Sequence, residues 1–405
     1  MSGTHSGYRR KVLFFAEAVT LAHMARPAVL ASGLAGTEFD VVLARDPRYQ
    51  ALFADLAVRQ VDLFSIAGDD FVGALARGAP LYSSSVLERY VEDDLRLIER
   101  EKPDVVVGDF RLSLAVSARL KSVPYIAISN AYWSPYADVR YPIPEHPLTA
   151  MLPLPVAQGL FTMVRRAAFG VHCLPLNRVR RHHGLSSLGL NLNRVYTEAD
   201  LVLYADIPQL VTMSDLPSNH RFMGPVLWSP PHRYPDWWSE MDSELPSIYV
   251  ALGSSGRGDL LPMVVEALAQ LPVTLMVSTA GKKPDLPKAS NVYSADYLPG
   301  DAASQQASLI LCNGGSLTTY QAFAYGRPVL GIAGNLDQHL NMSAVEALGA
   351  GKRLRTDRLS ANALTEAASY LLEVPTAGEA ADGLRQYMRL TDPHDSLLKC
   401  LREVM

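Results

Sequence analysis

The amino-acid sequence predicts an α/β protein made of two doubly wound parallel-sheet domains in tandem, and three observations lead to this prediction. The chain has 405 residues, which exceeds one ordinary hydrophobic core and suits two domains of roughly 200 residues each. Short apolar runs alternate with longer helical patterns, as in parallel sheets that helices cover on both faces. The alternation breaks in the middle of the chain and starts again at IYVALGSSG, so two sheets are expected.

The N-terminal domain is predicted over residues 1–228. Its strand and helix patterns alternate in the order KVLFFAEA, ARPAVLASGLAG, FDVVLAR, SVLERYVEDDLRLIEREK, PDVVVGD, LSLAVSARLKS and VPYIAISN. The long fourth segment is amphipathic, with acidic residues early and basic residues late, as the helix dipole favours. A region rich in proline, arginine and aromatic residues follows, and EADLVLYAD then returns to a strand pattern.

A linker rich in proline and tryptophan is predicted over residues 229–246, followed by a C-terminal domain over residues 247–385. The second alternation consists of IYVALGSSG, LLPMVVEALAQL, VTLMVSTAG, SLILCNGG with the helix after it, and PVLGIAG. The remaining residues, 386–405, are predicted to form a C-terminal helix.

Composition indicates a globular protein and argues against several classes. Hydrophobic residues make up 48% of the chain, and a net charge of −4 is unlike that of a general nucleic-acid binder. The three cysteines form no CxxC pair and no Cys/His cluster, so we expect neither a disulfide framework nor a zinc site. We predict a cytoplasmic protein, since no apolar run is long enough to span a membrane, although a peripheral contact with the inner membrane face is left open.

The segment CNGGSLTTYQ has the pattern of an anion-binding turn. Cys312 ends a predicted strand, and Asn313, Gly314, Gly315 and Ser316 form the turn into a helix. A helix N-terminus exposes unpaired N–H groups, and glycines let an anion approach these donors closely. A phosphate or diphosphate is therefore the expected ligand, although a tight turn without a ligand would also explain two glycines.

Asp337 and Gln338 follow in a predicted loop beyond the end of the next strand, where ligands bind in such sheets. A carboxylate beside an amide can bind several hydroxyl groups at once. A diphosphate site next to a polyol site describes a nucleotide-sugar.

The segment CNGGSLTTYQAFAYGRPVLGIAGNLDQHLN resembles the donor-binding signature of GT-B glycosyltransferases of the UDP-glucuronosyl/glucosyltransferase superfamily. VALGSSG, NVYSADYLPG and MGPVLWSP resemble further segments of this superfamily, and LNRVRRHHGL resembles a stretch of bacterial natural-product glycosyltransferases. Four positions depart from the usual motif and leave the choice of nucleotide open: Tyr297 for tryptophan, Gly300 for glutamine, Asn313 for histidine and Leu317 for glycine.

The resemblance implies two Rossmann-like domains that face each other across a cleft, with the acceptor on the N-terminal side and the nucleotide-sugar on the C-terminal side. The final helix often crosses back to the first domain in such folds. The residues that the resemblance assigns to the donor are Ser254, Asn313, Gly314, Gly315 and Ser316 for the diphosphate, Tyr297 and Leu298 for the nucleoside, and Asp337 and Gln338 for the sugar.

His23 and Asp109 are the candidate catalytic pair. Both follow predicted strands of one sheet, so they could meet across its crevice, where a carboxylate would orient the imidazole and stabilise its charged form. In the resembling family a histidine in this first loop is the base and an aspartate in the later loop supports it. Glu17 is a rival carboxylate, and a helix cap is the structural alternative for each residue.

The predicted reaction is a metal-independent transfer with inversion, from a sugar on UDP or dTDP to an acceptor hydroxyl. No Asp-x-Asp motif is present; the pairs Asp69-Asp70 and Asp93-Asp94 are expected to be solvated, and no metal or cofactor is expected. Tyr132, Trp133 and Tyr136 are expected to line the acceptor pocket, which favours a hydrophobic or aromatic small molecule.

The middle of the chain leaves further alternatives open. Between Glu145 and Glu198 there are six arginines and no acidic residue. This region forms either amphipathic helices over the pocket or, at residues 150–183, a patch for anionic lipid or an acidic acceptor. A membrane lipid acceptor, a nucleotide-sugar 2-epimerase and a non-catalytic donor-binding protein are the alternative functions, and a monomer and a homodimer are both compatible with the sequence.

Overall fold

The computed structural model describes residues 9–230, 233–241, 244–253 and 257–405, and it confirms the prediction of two doubly wound parallel sheets. The seven strands of the first sheet are β1 (Lys11–Ala16), β2 (Asp40–Arg45), β3 (Arg59–Asp62), β4 (Val105–Asp109), β5 (Tyr125–Ser129), β6 (Leu201–Tyr204) and β7 (His220–Phe222). Their order across the sheet is β3-β2-β1-β4-β5-β6-β7, and every neighbouring pair is parallel.

Helices cover both faces of this sheet. The helices of this domain are α1 (Leu21–Gly33), α2 (Gly68–Ala76), α3 (Ser84–Glu101), α4 (Leu114–Lys121), α5 (Pro147–Met151), α6 (Leu154–His182) and α7 (Leu192–Tyr196). The central strands between them are buried on both faces; all five residues of β4, for example, are buried.

The second sheet repeats this arrangement. Its strands are β8 (Ser247–Ala251), β9 (Thr274–Ser278), β10 (Val292–Ala295), β11 (Leu309–Cys312), β12 (Val329–Ala333) and β13 (Gly351–Arg355), in the order β10-β9-β8-β11-β12-β13. The helices that follow β8 are α8 (Leu261–Leu268), α9 (Gly300–Gln306), α10 (Ser316–Ala324), α11 (Leu336–Ala347), α12 (Ala361–Glu373), α13 (Pro375–Met388) and α14 (Pro393–Val404).

Both sheets reverse their strand order beside their first strand, at β1/β4 and at β8/β11. Loops diverge at such a point and leave a crevice beyond the carboxyl ends of the strands, which is where open α/β sheets bind ligands. Each domain therefore offers one ligand crevice.

Side chains from both domains meet in one hydrophobic cluster, which includes Tyr132 and Val202 from the first domain and Ile310 and Tyr320 from the second. The Tyr320 hydroxyl also donates a 2.8 Å hydrogen bond to Asp206 Oδ1 across the two domains. Buried apolar and polar contacts thus join the two halves beside the cleft.

The last helix returns to the first domain. Leu397 and Leu401 of α14 are fully buried in the cluster that contains β1, β2 and α1. This helix begins at Pro393, whereas the predicted boundary at residue 386 falls inside α13. Among the described residues, no helix is both long and apolar enough to cross a membrane.

Candidate active site between the two sheets

His23 and Asp109 meet where the strand order of the first sheet reverses. His23 lies in the first turn of α1, which Thr20 caps, and Asp109 is the last residue of β4. His23 Nδ1 lies 2.7 Å from Asp109 Oδ1; the carboxylate is fully buried and the imidazole is 20% exposed. Because a carboxylate accepts hydrogen bonds, Nδ1 is the donor, and Nε2 of the neutral ring keeps the lone pair that can take a proton.

Arg26, which the sequence pattern did not indicate, completes this group. Its Nε lies 2.6 Å from Asp109 Oδ2, and its Nη2 donates to Oδ1 at 3.0 Å. Burial acts to lower the pKa of Arg26, but Asp109 and further acidic neighbours raise it above the ordinary value. Arg26 therefore remains a cation, and it fixes the buried carboxylate with one oxygen directed at His23.

Phe110 lies beneath the imidazole. Its ring stacks on His23, with 4.9 Å between the centroids and 15° between the planes. Its φ of +56° is in the left-handed region, which is unusual for a bulky residue and marks local strain. The next residue, Arg111, is anchored by Glu17 Oε2 at 2.9 Å and by Asp94 Oδ1 at 3.0 Å. These ion pairs hold the strained loop in place.

Glu17 and Asp94 thus occupy structural positions in a buried network. Glu17, the rival carboxylate, also accepts from the Tyr90 hydroxyl at 2.8 Å, and its partners are this hydroxyl and Arg111 rather than His23. The prediction that Asp94 is solvated is wrong, since its side chain is fully buried and accepts hydrogen bonds from Arg111 Nε at 3.0 Å and from Ser117 Oγ at 3.2 Å. Burial raises the pKa of Asp94 to about 6.

An aromatic group extends from Phe110 toward the second domain. Phe110 packs edge-on against Tyr196, and Tyr196 packs edge-on against Trp133, each with 5.2 Å between ring centroids. Phe71 and Tyr82 also pack against Phe110, at 6.0 Å and 6.3 Å. This aromatic group provides an apolar surface next to the imidazole, suited to the apolar part of an acceptor.

The three residues predicted to line the acceptor pocket have different environments. Trp133 belongs to the aromatic group. Tyr132 is fully buried, and burial is the main cause that raises its pKa well above the ordinary value. Tyr136 packs edge-on against His220 of β7, with 5.1 Å between the centroids, and so lies beside an edge strand.

Asn313, Gly314 and Gly315 form a tight turn at the reversal point of the second sheet. Asn313 Oδ1 accepts a 3.0 Å hydrogen bond from the Gly315 N–H. Gly314 has a φ of +79°, and a Cβ at this position would lie 2.6 Å from Met342 Cγ. Both the backbone conformation and the close packing therefore require glycine here. The helix α10 then begins at Ser316, and its first N–H groups lie at the carboxyl edge of the sheet.

Asn341 supports this turn from α11. Its Nδ2 donates to the Gly314 carbonyl at 2.9 Å and to Thr319 Oγ1 at 3.0 Å. Asn341 and Thr319 are fully buried, so the hydrogen bonds are shielded from water. This contact explains why an asparagine follows the Asp-Gln pair in the sequence.

Asp337 and Gln338 lie in the first turn of α11, so the prediction that they occupy a loop is wrong. Asn335 caps this helix by accepting from the Gln338 N–H at 3.0 Å. In return, Gln338 Oε1 accepts from the N–H groups of Gly334 and Asn335, at 3.0 Å and 3.2 Å. This capping box occupies the amide oxygen of Gln338, which leaves its NH2 group as the part that can contact a sugar.

A hydrogen bond joins the aromatic group of the first domain directly to α11 of the second domain. Trp133 Nε1 donates to Asp337 Oδ1 at 2.9 Å, although the two residues are 204 positions apart in the chain. Glu145 and Arg257 form a further ion pair between the two domains at 3.0 Å. The aromatic group and the residues predicted to bind the sugar are therefore neighbours in space.

The residues predicted to bind the nucleoside have different environments. Tyr297 is half-buried in the loop after β10, and its hydroxyl lies 3.4 Å from the Cβ position of Gly281. The Leu298 side chain is buried in the core that both domains share, so only its backbone can face a ligand. Ser254 lies outside the described residues.

One cluster in the described part of the chain has the composition of a metal site, and it is separate from the residues above. His182 Nδ1 and His183 Nε2 contact the two carboxylate oxygens of Glu88 at 2.7 Å and 2.8 Å. These residues join the end of α6 to α3. None of them was predicted as a site residue.

The two crevices thus carry complementary chemistry: a histidine with a buried carboxylate on one side, and a glycine turn at a helix N-terminus on the other. With two facing Rossmann-like domains, this arrangement defines the class of GT-B glycosyltransferases.

Comparisons with known proteins identify the family within that class. The model of the erythromycin biosynthesis protein CIII-like C-terminal domain matches residues 262–398. A PGL/p-HBAD biosynthesis rhamnosyltransferase of Mycobacterium bovis (strain BCG / Pasteur 1173P2) is 48% identical over 373 residues, which are 92% of this chain and 83% of that protein. The chain therefore belongs to the same family of GT-B glycosyltransferases and is itself a glycosyltransferase.

Solved structures confirm the fold. Spinosyn forosaminyltransferase SpnP has a TM-score of 0.72 at 18% identity, with 98% of this chain and 100% of that chain covered. Spinosyn rhamnosyltransferase SpnG complexed with thymidine diphosphate has a TM-score of 0.69 at 18% identity, with coverages of 97% and 100%.

Proposed function

We propose that this glycosyltransferase moves a sugar from a nucleoside diphosphate to a hydroxyl group of a hydrophobic, aromatic acceptor, with inversion and without a metal ion. The observation that carries this proposal is the position of His23, which is bonded to buried Asp109 and stacked on the aromatic group that reaches Asp337. An acceptor ring that packs on these aromatic side chains would present its hydroxyl group beside His23 Nε2.

The proposed reaction is a single displacement. His23 Nε2 takes the proton of the acceptor hydroxyl while its oxygen forms a bond to the anomeric carbon from the face opposite the leaving group. The bond from the anomeric carbon to the diphosphate breaks, and the diphosphate leaves with the electron pair. Asp109 orients the imidazole through Nδ1 and stabilises the positive charge that develops on it.

The leaving group would be held by the turn at Asn313–Gly315 and the first N–H groups of α10. These donors are fixed before the reaction, because Gly314 is locked by its packing and Asn341 holds its carbonyl. Fixed donors stabilise developing negative charge without reorganisation, so a metal ion is not needed for this step. The Asp337 carboxylate and the Gln338 NH2 group are the proposed contacts of the sugar hydroxyls.

The comparisons suggest which donor to test first. A relative with 48% identity is named a rhamnosyltransferase, and a rhamnosyltransferase of the same fold has been solved with thymidine diphosphate. We therefore propose rhamnose on a thymidine diphosphate as the first donor, in line with the predicted UDP or dTDP type. That relative is named for PGL/p-HBAD biosynthesis, and we therefore propose an acceptor from the same biosynthesis for this chain.

Three measurements test this proposal. Calorimetry with thymidine, uridine and guanosine diphosphates ranks the nucleotides, and we expect thymidine diphosphate to bind most tightly. NMR of the product determines the anomeric configuration, which must be opposite to that of the donor. Transfer must also continue in excess EDTA; retention of configuration or complete loss of activity in EDTA would contradict the mechanism.

A further inference from the structure

The N-terminal half of α6 presents an apolar surface to solvent. Met163 is 81% exposed, and Val156, Leu160, Val164 and Val171 are each at least 42% exposed. Together with exposed Ala167, we call these six residues the α6 stripe. A run of exposed apolar side chains on one helix is unusual for a surface that only water covers.

Helix geometry places the α6 stripe on one face. At 3.6 residues per turn, positions 156, 160, 163, 164, 167 and 171 fall within an arc of about 100°. Such an arc normally faces a hydrophobic core, whereas here the core is reached by other residues of the same helix. Cys173, Leu176 and Val179 are buried against the first domain, and Phe169 packs edge-on against Tyr141 at 5.5 Å. The stripe is therefore not needed to attach the helix.

The chain segment that contains the stripe carries charges of one sign. Residues 146–197 contain no acidic residue, and Arg166, Arg178, Arg181 and Arg194 are exposed within this range. Arg166 lies on α6 at the edge of the stripe, while the neighbouring Arg165 stacks on Tyr141, with 4.1 Å between its guanidinium carbon and the ring centroid. An apolar stripe with basic residues and without acidic ones matches an anionic lipid surface.

We propose that the α6 stripe docks the protein onto an anionic membrane surface, with the stripe in the boundary between headgroups and acyl chains and the arginines at the phosphates. A second copy of this chain is a poorer match, because a paired α6 would bring more arginines and no acidic residue to the contact. The inner side of the same helix contacts Tyr141, which packs against Trp133 of the aromatic group. Docking through the stripe would thus bring the proposed acceptor site near the membrane. The position of the acceptor site rests on the proposed function, whereas the docking itself does not.

Vesicle sedimentation tests the proposal with the full chain. The probes are phosphatidylcholine vesicles and matched vesicles in which about one third of the lipid is phosphatidylglycerol, an amount that gives a strongly negative surface. We expect binding to the anionic vesicles only, and weaker binding at high salt. Met163→Glu should lower the partition coefficient about ten-fold or more, and Arg166→Gln about five-fold, since one arginine near such a surface contributes about 1 kcal/mol.

Two matched substitutions control for exposure and charge. Leu390 is 80% exposed and Arg389 is exposed, and both lie between α13 and α14, outside the stripe. Leu390→Glu and Arg389→Gln should bind vesicles like the wild type, and all variants should bind thymidine diphosphate equally, which shows that they are folded.

Three results would overturn the docking proposal: no binding of the wild type to anionic vesicles, equal binding by Met163→Glu, or a solution dimer that Met163→Glu dissociates. The last result would make the stripe an interface between two copies. Each outcome leaves transfer to a soluble acceptor unaffected, so failure of the docking proposal is distinguishable from failure of the proposed function.

Discussion

Replacement of Asp109 by asparagine tests the buried carboxylate through two separate effects. An asparagine has nearly the same shape, but it is neutral, and its NH2 group replaces one of the two oxygens, of which Oδ1 accepts from His23 and Arg26 Nη2 and Oδ2 faces Arg26 Nε. The imidazole then loses both its fixed orientation and the charge that stabilises its protonated form. We expect kcat to fall by roughly 10²–10⁴, the range that a positioned general base contributes.

The same substitution removes the carboxylate that pairs with the Arg26 cation, which keeps a 3.0 Å hydrogen bond from Nη1 to Asn130 Oδ1. Arg26 is 5% exposed, and its guanidinium lies against Asp109 through both Nε and Nη2. Removal of one member of a buried ion pair typically costs roughly 3–5 kcal/mol of unfolding free energy, because the remaining charge stays desolvated. Urea unfolding of Asp109→Asn should therefore show a loss of this size.

The double variant Arg26→Met, Asp109→Asn separates the two effects. It removes both buried charges, so most of the lost stability should return, since a paired charge can often be replaced by apolar atoms at little cost. Its transfer rate should remain low, because no carboxylate faces His23. Recovery of activity together with stability would show that Asp109 acts only through folding and would refute the proposed role.

Three further predictions concern the donor side and the pH dependence of stability. Gly314→Ala should weaken binding of thymidine diphosphate about ten-fold or more, because the left-handed backbone is strained with a Cβ and the Cβ clashes with Met342. Gly378→Ala, in a helix with open space around this position, should bind like the wild type. Equal affinities of the two variants would contradict the role of the glycine turn in anion binding. Trp133→Phe removes the bond to Asp337 and should lower kcat/KM about ten-fold with an unchanged Kd for the nucleotide; unchanged kcat/KM would contradict its role. His339 is buried with neither ring nitrogen hydrogen-bonded, and burial lowers its pKa to about 3. The wild type should therefore lose unfolding free energy relative to His339→Leu as the pH falls below about 6.5, where the histidine of the unfolded chain takes up a proton. Parallel pH profiles of the two proteins in urea unfolding would contradict this prediction.

The central strands were predictable because they are fully buried. Strands such as β4 and β8 appear as continuous apolar runs, and their order with the helices defines a doubly wound fold. The edge strands were not predicted: β7 has three residues and β10 has four, and their side chains are partly exposed. Segments of this length and burial have no distinctive periodicity.

Residues of the candidate site were predictable from the sequence only where they belong to a local sequence pattern. The glycine turn at Asn313 is local, and His23 and Asp109 were indicated by their places after strands. Arg26 was missed because its contact with Asp109 spans 83 residues and its own surroundings read as ordinary helix. Aromatic neighbours such as Tyr196 were missed for the same reason, since tertiary packing alone brings them to Phe110.

Two errors have identifiable causes. Asp337 and Gln338 were expected in a loop, although asparagine at 335 followed three residues later by glutamine is the sequence signature of a capping box and would have indicated a helix start. Asp94 was expected in solvent as one of a pair of acidic residues, although it shares the buried face of α3 with Leu87 and Val91 at helical spacing. Its buried partner Arg111 comes from the loop after β4, which no pattern within α3 could reveal.

The most direct test of the account is the His23→Ala variant, measured for donor binding and for transfer with the same preparation. His23 is the only residue to which we assign the proton of the acceptor, and its contacts are with Asp109, Arg26 and Phe110 on the acceptor side. We predict a nucleotide Kd like that of the wild type and a transfer rate lower by roughly 10²–10⁴. Transfer at the wild-type rate would contradict the assignment of His23 as the base.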